Sequence, residues 1–149
     1  MLVRMLLCDA AQAVNGKLYI LGAGWNVTGP DPTPSAMAFS IEVPWDQANR
    51  KHQLTVTLLG EDGQPVLVPT PEGEQPAVVT AQFEVGRPPG LRPGSPLGVV
   101  LAINVGPIPL KPDVRYEWRC HINGETRETW VCSFSTRPAK PSEPKARSE

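Results

Sequence analysis

Two histidines (His52, His121) and three cysteines (Cys8, Cys120, Cys132) are the only imidazoles and thiols in the chain. A zinc site needs such residues paired at short spacing, as C-x-x-C or H-x-x-x-H. Neither histidine has a partner of that kind. Acyl transfer by serine asks for a nucleophile on a tight G-x-S-x-G elbow, whereas Ser95 stands between Gly94 and Pro96 in a loop. Glu61-Asp62-Gly63 could be taken for a cation loop, but the alternating acids of a calcium loop are missing and Asp-Gly is explained by a hairpin turn. Gly22 and Gly24 lack the third glycine and the following helix that a dinucleotide pyrophosphate requires. Asn26-Val27-Thr28 matches a glycosylation acceptor, which matters only in a eukaryotic secretory chain. The chain is therefore expected to hold no catalytic group, no metal and no cofactor, and to be no enzyme.

The aromatic side chains offer more. Trp25, Trp45, Trp118 and Trp130, with two tyrosines, could build a sugar-stacking platform. Tyr116, Trp118 and Trp130 alternate with polar or charged residues, which assigns them to a core face. Trp45 differs, because it follows Pro44 and precedes Asp46 in a connection. The long Gly/Pro/Arg segment 86–96 (GRPPGLRPGSP) is the other unusual connection, and loops of that length in a compact domain are functional or disordered. Trp45, Asp46, Arg87, Leu91 and Arg92 are the predicted interaction surface.

The elements that would position this surface are strands. The last hairpin, Asp113 to Thr136, has Asn123-Gly124 at its centre, a pair that tolerates the positive φ of a tight turn. A two-residue loop there would set Tyr116 opposite Val131 and send the two apolar sets to opposite faces. A three-residue loop over 122–124, with Gly124 as a left-handed bulge, pairs Tyr116 with Trp130 and Val114 with Cys132, and puts both sets on one face. The bulged register is the one expected.

Upstream, Leu2–Val14 reads as one strand, turned by Asn15-Gly16 into Lys17–Val27, whose apolar residues on both faces suggest a central place. Ala36–Val43, Gln53–Leu59, the short proline-flanked edge strand Pro65–Val68, and Ala77–Val85 follow. Leu97–Val105, apolar on both faces, is the expected centre of a sheet. About nine short strands with frequent turn signals and no long helix predict an all-β, antiparallel sandwich or barrel, with the β-sandwich preferred because several strands show one solvated face. One domain over 1–136 is expected, followed by a disordered tail, 137–149, without large apolar residues.

Composition narrows the partners. With 149 residues the chain can build a sizeable core, and a net charge of −1 gives no electrostatic case for nucleic acid or an anionic membrane. No run approaches the ~18 apolar residues of a membrane helix. The apolar stretch Met5–Cys8 is too short for a signal core, and Leu7 stands where a lipoprotein box wants a small residue. A cytoplasmic location, or assembly on a particle, is expected. In the expected register Cys120 faces Thr126, about 20 Å along the strand from Cys132 at ~3.3 Å per residue, too far for a bridge. A disulfide from Cys8 to Cys120 or to Cys132 stays open, with three buried thiols in a reducing compartment preferred.

The segment CDAAQAVNGKLYILGAGW, and the later PLGVVLAINVGPIPLKPDVRYEWRCHINGE with its Tyr-bearing strand and NGE turn, resemble the two ends of an uncharacterised bacterial β-sandwich family. The resemblance spans roughly residues 4–135. It implies a compact all-β, Ig-like β-sandwich domain of bacterial or phage origin and carries no activity or functional residues. The expectation is a non-enzymatic module that binds a protein partner or itself. A phage or particle surface component and a carbohydrate-binding module are the alternatives.

Overall fold

The computed structural model describes residues 1–139. Twelve strands run in order: β1 Leu2–Cys8, β2 Ala10–Val14, β3 Lys17–Leu21, β4 Val27–Thr28, β5 Ser35–Val43, β6 His52–Leu59, β7 Leu67–Thr70, β8 Gly73–Pro76, β9 Val78–Phe83, β10 Leu97–Val105, β11 Arg115–Ile122 and β12 Val131–Thr136. The excess over nine arises where long strands break and where Gly73–Pro76 pairs with β7 as a further strand. A three-stranded sheet, β1-β5-β10, faces a five-stranded sheet, β4-β12-β11-β6-β9.

Period-2 alternation makes these strands and aims them. Met37, Phe39, Ile41 and Val43 of β5 point inward, as do Leu54, Val56 and Leu58 of β6, and all are buried. Tyr116, Trp118, Cys120 and Ile122 of β11, beside β6 in the larger sheet, complete one continuous core with them. Phe134 stacks on Tyr116 at 5.6 Å and 24°. The Tyr116 hydroxyl accepts from the Lys111 N–H at 2.8 Å and so ties the 106–114 connection to β11.

The closing hairpin corrects the expected register while keeping its consequence. Asn123 (φ 52) and Gly124 (φ 82) make a two-residue turn, with Ile122 bridged to Glu125. Residues 126–129 then loop out, and pairing resumes with Trp118 opposite Cys132 and Tyr116 opposite Phe134. The tight turn and the shared apolar face are both satisfied, because an odd excursion after the tip restores the parity that the turn alone would break. The backbone ladder continues one residue past the expected boundary, with Arg137 N–H donating to the Thr28 carbonyl at 2.9 Å and Asp113 N–H to the Arg137 carbonyl at 3.2 Å. Of the expected tail, residues 140–149 lie outside the described residues.

The first strand also divides. At Asp9 the chain turns, and its N–H donates to the carbonyls of Leu21 (2.9 Å) and Gly22 (3.2 Å). Gly22 has φ +62, and a β-carbon there would fall on the Asp9 carboxylate, so only glycine fits. The hairpin β2–β3 folds back over the outer face of the small sheet, where Ala11 packs with Cys8, Ala36 and Ala38, flanked by Leu18, Ile20 and Ala102. Small residues let the layers close up. The Asn104 amide joins them: its Nδ2 donates to the Ala11 carbonyl at 2.9 Å, and its Oδ1 accepts from the Ala11 N–H at 3.3 Å. This third layer accounts for two misplacements. β10 is apolar on both faces because the hairpin covers its outer side, yet it lies at a sheet edge. β3, expected at a sheet centre, is paired only with β2 and leaves Tyr19 and Leu21 exposed.

All three cysteines are free thiols. The corrected register brings Cys120 and Cys132 onto one face of neighbouring strands, as diagonal neighbours, in place of the separation expected from sequence. Cys8 donates weakly to the Ala36 carbonyl at 3.5 Å. Burial pushes the Cys120 thiol up to about 12, with the neighbouring Cys132 adding to the shift. Burial likewise pushes Cys132 up to about 11, against a backbone hydrogen bond at Leu7 that lowers it. A thiol whose folded pKa lies above its unfolded one loses protons first in the unfolded chain. Stability should therefore fall as pH rises from about 9 towards 11–12, and be unaffected by these groups below that window. Cys120→Ala should flatten that alkaline loss in urea midpoints measured between pH 8 and pH 10.5, and an unchanged slope would contradict the burial of this thiol.

Candidate functional site

Three connections meet at one end of the sandwich: segment 44–51 between β5 and β6, segment 84–96 between β9 and β10, and the hairpin tip 123–130. The registers require this, since Val43 is opposite Leu97, His52 opposite Phe83 and Ile122 opposite Leu54. Pro44 opens a single 3₁₀ turn, Trp45–Gln47. Asn49, with φ 60, then donates its N–H to the Val85 carbonyl at 2.8 Å and binds the first connection to the second.

His52 locks this end. It is buried, stacked on Phe83 at 5.2 Å and 27°. Its Nε2 lies 2.9 Å from the Gln47 carbonyl, which can only accept, so Nε2 carries the proton. Nδ1 is thus the acceptor for the Asn123 amide at 2.9 Å. Asn123 Oδ1 accepts from the Gln53 N–H at 2.9 Å, and the Asn123 N–H donates to the Gln53 carbonyl at 2.8 Å. One imidazole thereby fixes the hairpin tip, the 3₁₀ turn and the start of β6. In the sequence His52 follows Arg50 and Lys51, a basic stretch that gives no sign of its burial. The signal that finds it is parity, because position 52 shares the inward face with Leu54, Val56 and Leu58.

Of the five residues expected on the interaction surface, the structure joins two, Trp45 and Arg87. Arg87 lays its guanidinium over the Trp45 ring, 4.6 Å from the centroid, and donates Nη2–H and Nε–H to the Trp45 carbonyl at 2.7 and 3.2 Å. The exposed Asp46 follows Trp45, and its backbone carbonyl accepts from Arg50 Nη2 at 2.9 Å. Leu91 and Arg92 lie further out, in a loop built from two turns. Leu91 N–H donates to Pro88 at 3.2 Å, and Ser95 donates to the Arg92 carbonyl through N–H (3.1 Å) and Oγ–H (2.6 Å). Both side chains are exposed.

Beside this strut lies a polar cleft of ≈ 380 Å³ between segment 47–52 and the hairpin tip. The remaining aromatics form no flat platform. Trp118 and Trp130 are buried, and Trp25 packs edge-on against Phe134 at 5.9 Å. The Trp25 Nε1–H is buried without a partner, beside a cavity of ≈ 30 Å³, about one water in size and far too small for a sugar ring. Among the described residues, no group of three or more His, Cys, Asp or Glu side chains is placed to hold a metal ion. No helix among the described residues is long and apolar enough to cross a membrane.

Arg87→Ala should uncover the Trp45 ring and raise acrylamide quenching of tryptophan fluorescence. Arg87→Lys should do the same, because an ammonium cannot make both hydrogen bonds while lying flat on an indole. Quenching restored by lysine would show that charge alone holds the pair.

No curated protein and no solved structure matches the chain. The model of a family of unknown function, DUF6941, matches residues 4–131, which takes in the small sheet, the covering hairpin, the whole loop end and the larger sheet up to the start of β12, and the chain belongs to that family.

Proposed function

We propose that this protein is a non-enzymatic, Ig-like interaction module that binds a protein partner through the loop end carrying Trp45, Arg87 and segment 86–96. The observation that carries this reading is the way three connections converge there and are held in fixed geometry by His52, Arg87 and Asn49. A surface ordered before binding loses less conformational freedom on association. Long loops supported by a rigid sandwich are where recognition is commonly placed in such folds. The Tyr116 hydroxyl reaching back to the backbone at Lys111 is a device shared with Ig-like sandwiches.

Self-association, including assembly on a particle surface, is the second reading, and a different face favours it. The outer side of β2–β3 leaves Val14 45%, Tyr19 57% and Leu21 70% exposed in one short hairpin. An apolar group of this kind is suited to another surface.

A tagged full chain should retain one stoichiometric protein from a lysate of its native source, and lose it when residues 87–96 are shortened to Gly-Ser. Retention of the same protein by the shortened chain would remove the loop end from the interaction. A concentration-dependent dimer that disappears in Tyr19→Ser/Leu21→Ser would favour the second reading.

A further inference from the structure

The cleft beside the Arg87–Trp45 strut has a charge pattern of its own. Its walls carry Arg50 and Lys51 from one side and Arg127 from the other, against a single carboxylate, Glu125. Glu125 offsets one of the three: its Oε2 lies 3.8 Å from Arg127 Nη2, an exposed pair that solvent weakens, and Arg50 and Lys51 keep the cleft positive. Arg127 is held in place, with Nη1 donating to the Thr126 carbonyl at 3.1 Å and its guanidinium carbon 5.6 Å from the centroid of the buried Trp130 ring. Arg50 is oriented by its bond to the Asp46 carbonyl at 2.9 Å. Among the described residues, Lys51 makes no ion pair and no side-chain hydrogen bond, and it is exposed. The chain as a whole carries −1, and the opposite end of the sandwich bears Glu61, Asp62, Glu72 and Glu74. The positive cleft is thus a local feature of the loop end.

Resting on the interaction reading above, we propose that this cleft receives carboxylate side chains of an acidic segment of the partner protein. Two cations on one wall and a third on the other present donors from converging directions, the arrangement that recognises carboxylates. The volume, ≈ 380 Å³, lies within the usual range for a ligand pocket and accommodates one or two acidic side chains. The amide of Asn123 and the imidazole of His52, both committed to each other, form a neutral back wall that adds no opposing charge. Specificity comes from Arg50, Lys51 and Arg127, while Trp45 and segment 86–96 supply the adjoining contact area.

The test uses the full chain and a rhodamine-labelled hexaglutamate peptide, read by fluorescence anisotropy. Saturable binding that weakens as salt is raised, and falls about tenfold or more in Arg50→Gln/Lys51→Gln, supports the inference. Arg115→Gln, at the opposite end of β11, should bind as the native chain does, and unchanged thermal midpoints would show that the variants fold. Absent binding, binding unaffected by the double substitution, or equal loss in Arg115→Gln would overturn it. Displacement of the peptide by equimolar inorganic phosphate would also overturn it, by showing a general anion site. A lysate partner retained by Arg50→Gln/Lys51→Gln but lost on shortening of 87–96 would sink this inference and leave the interaction reading standing. Hexaglutamate binding without any loop-dependent partner would do the reverse.

Discussion

The neutral His52 imidazole is the contact on which the loop end depends. It donates to Gln47, accepts from Asn123 and stacks on Phe83, so three segments distant in sequence share one buried ring. Burying a polar group without partners costs about 1–3 kcal/mol, and here both ring nitrogens are matched. The Asn123 side chain extends the same network to the backbone of Gln53. The turn that closes the last hairpin is therefore anchored to β6 by side chains as well as by the sheet ladder. Arg87 on Trp45 repeats the device at the surface, where solvent weakens it, and it depends on the first connection already being held.

The other constraint is the third layer. The small sheet presents alanines on its outer face, and β2–β3 covers them. Ala11, Ala36, Ala38 and Ala102 permit close approach, and the Asn104 amide supplies the donor and acceptor that Ala11 would otherwise find in a neighbouring strand. Covering one face of the hairpin leaves its other face to solvent, which is why Tyr19 and Leu21 are exposed although their sequence reads as a strand interior. Fold and candidate interaction surfaces follow from one arrangement of layers.

The all-β class, the span of β10 and the inward residues of β5, β6 and β11 were legible in the sequence, because alternation at period 2 depends only on local pattern and a common core. Sheet position was not legible. Apolar residues on both faces of Leu97–Val105 mean that both faces are covered, and a covering hairpin produces the same pattern as a central place in a sheet. The hairpin register failed for a related reason: parity fixes the face, but several registers share a parity, and an outward loop at 126–129 has no distinctive composition. Within the candidate site, Trp45 and Arg87 were found through their placement in connections, and the structure joins them. The role of His52 was hidden by its basic neighbours Arg50 and Lys51, although its place in the alternation pointed inward. The convergence of Arg50, Lys51 and Arg127 required the fold, since 76 positions separate Lys51 from Arg127 in the sequence.

The central claim, that one buried histidine holds the three connections of the loop end together, is tested most directly by amide hydrogen exchange on His52→Phe. Phenylalanine keeps a ring against Phe83 and removes both hydrogen bonds. The account predicts that the amides of Gln53 and Asn123 exchange about tenfold faster or more, while those of β5 keep their native protection. Native protection at Gln53 and Asn123 in a folded variant would contradict it.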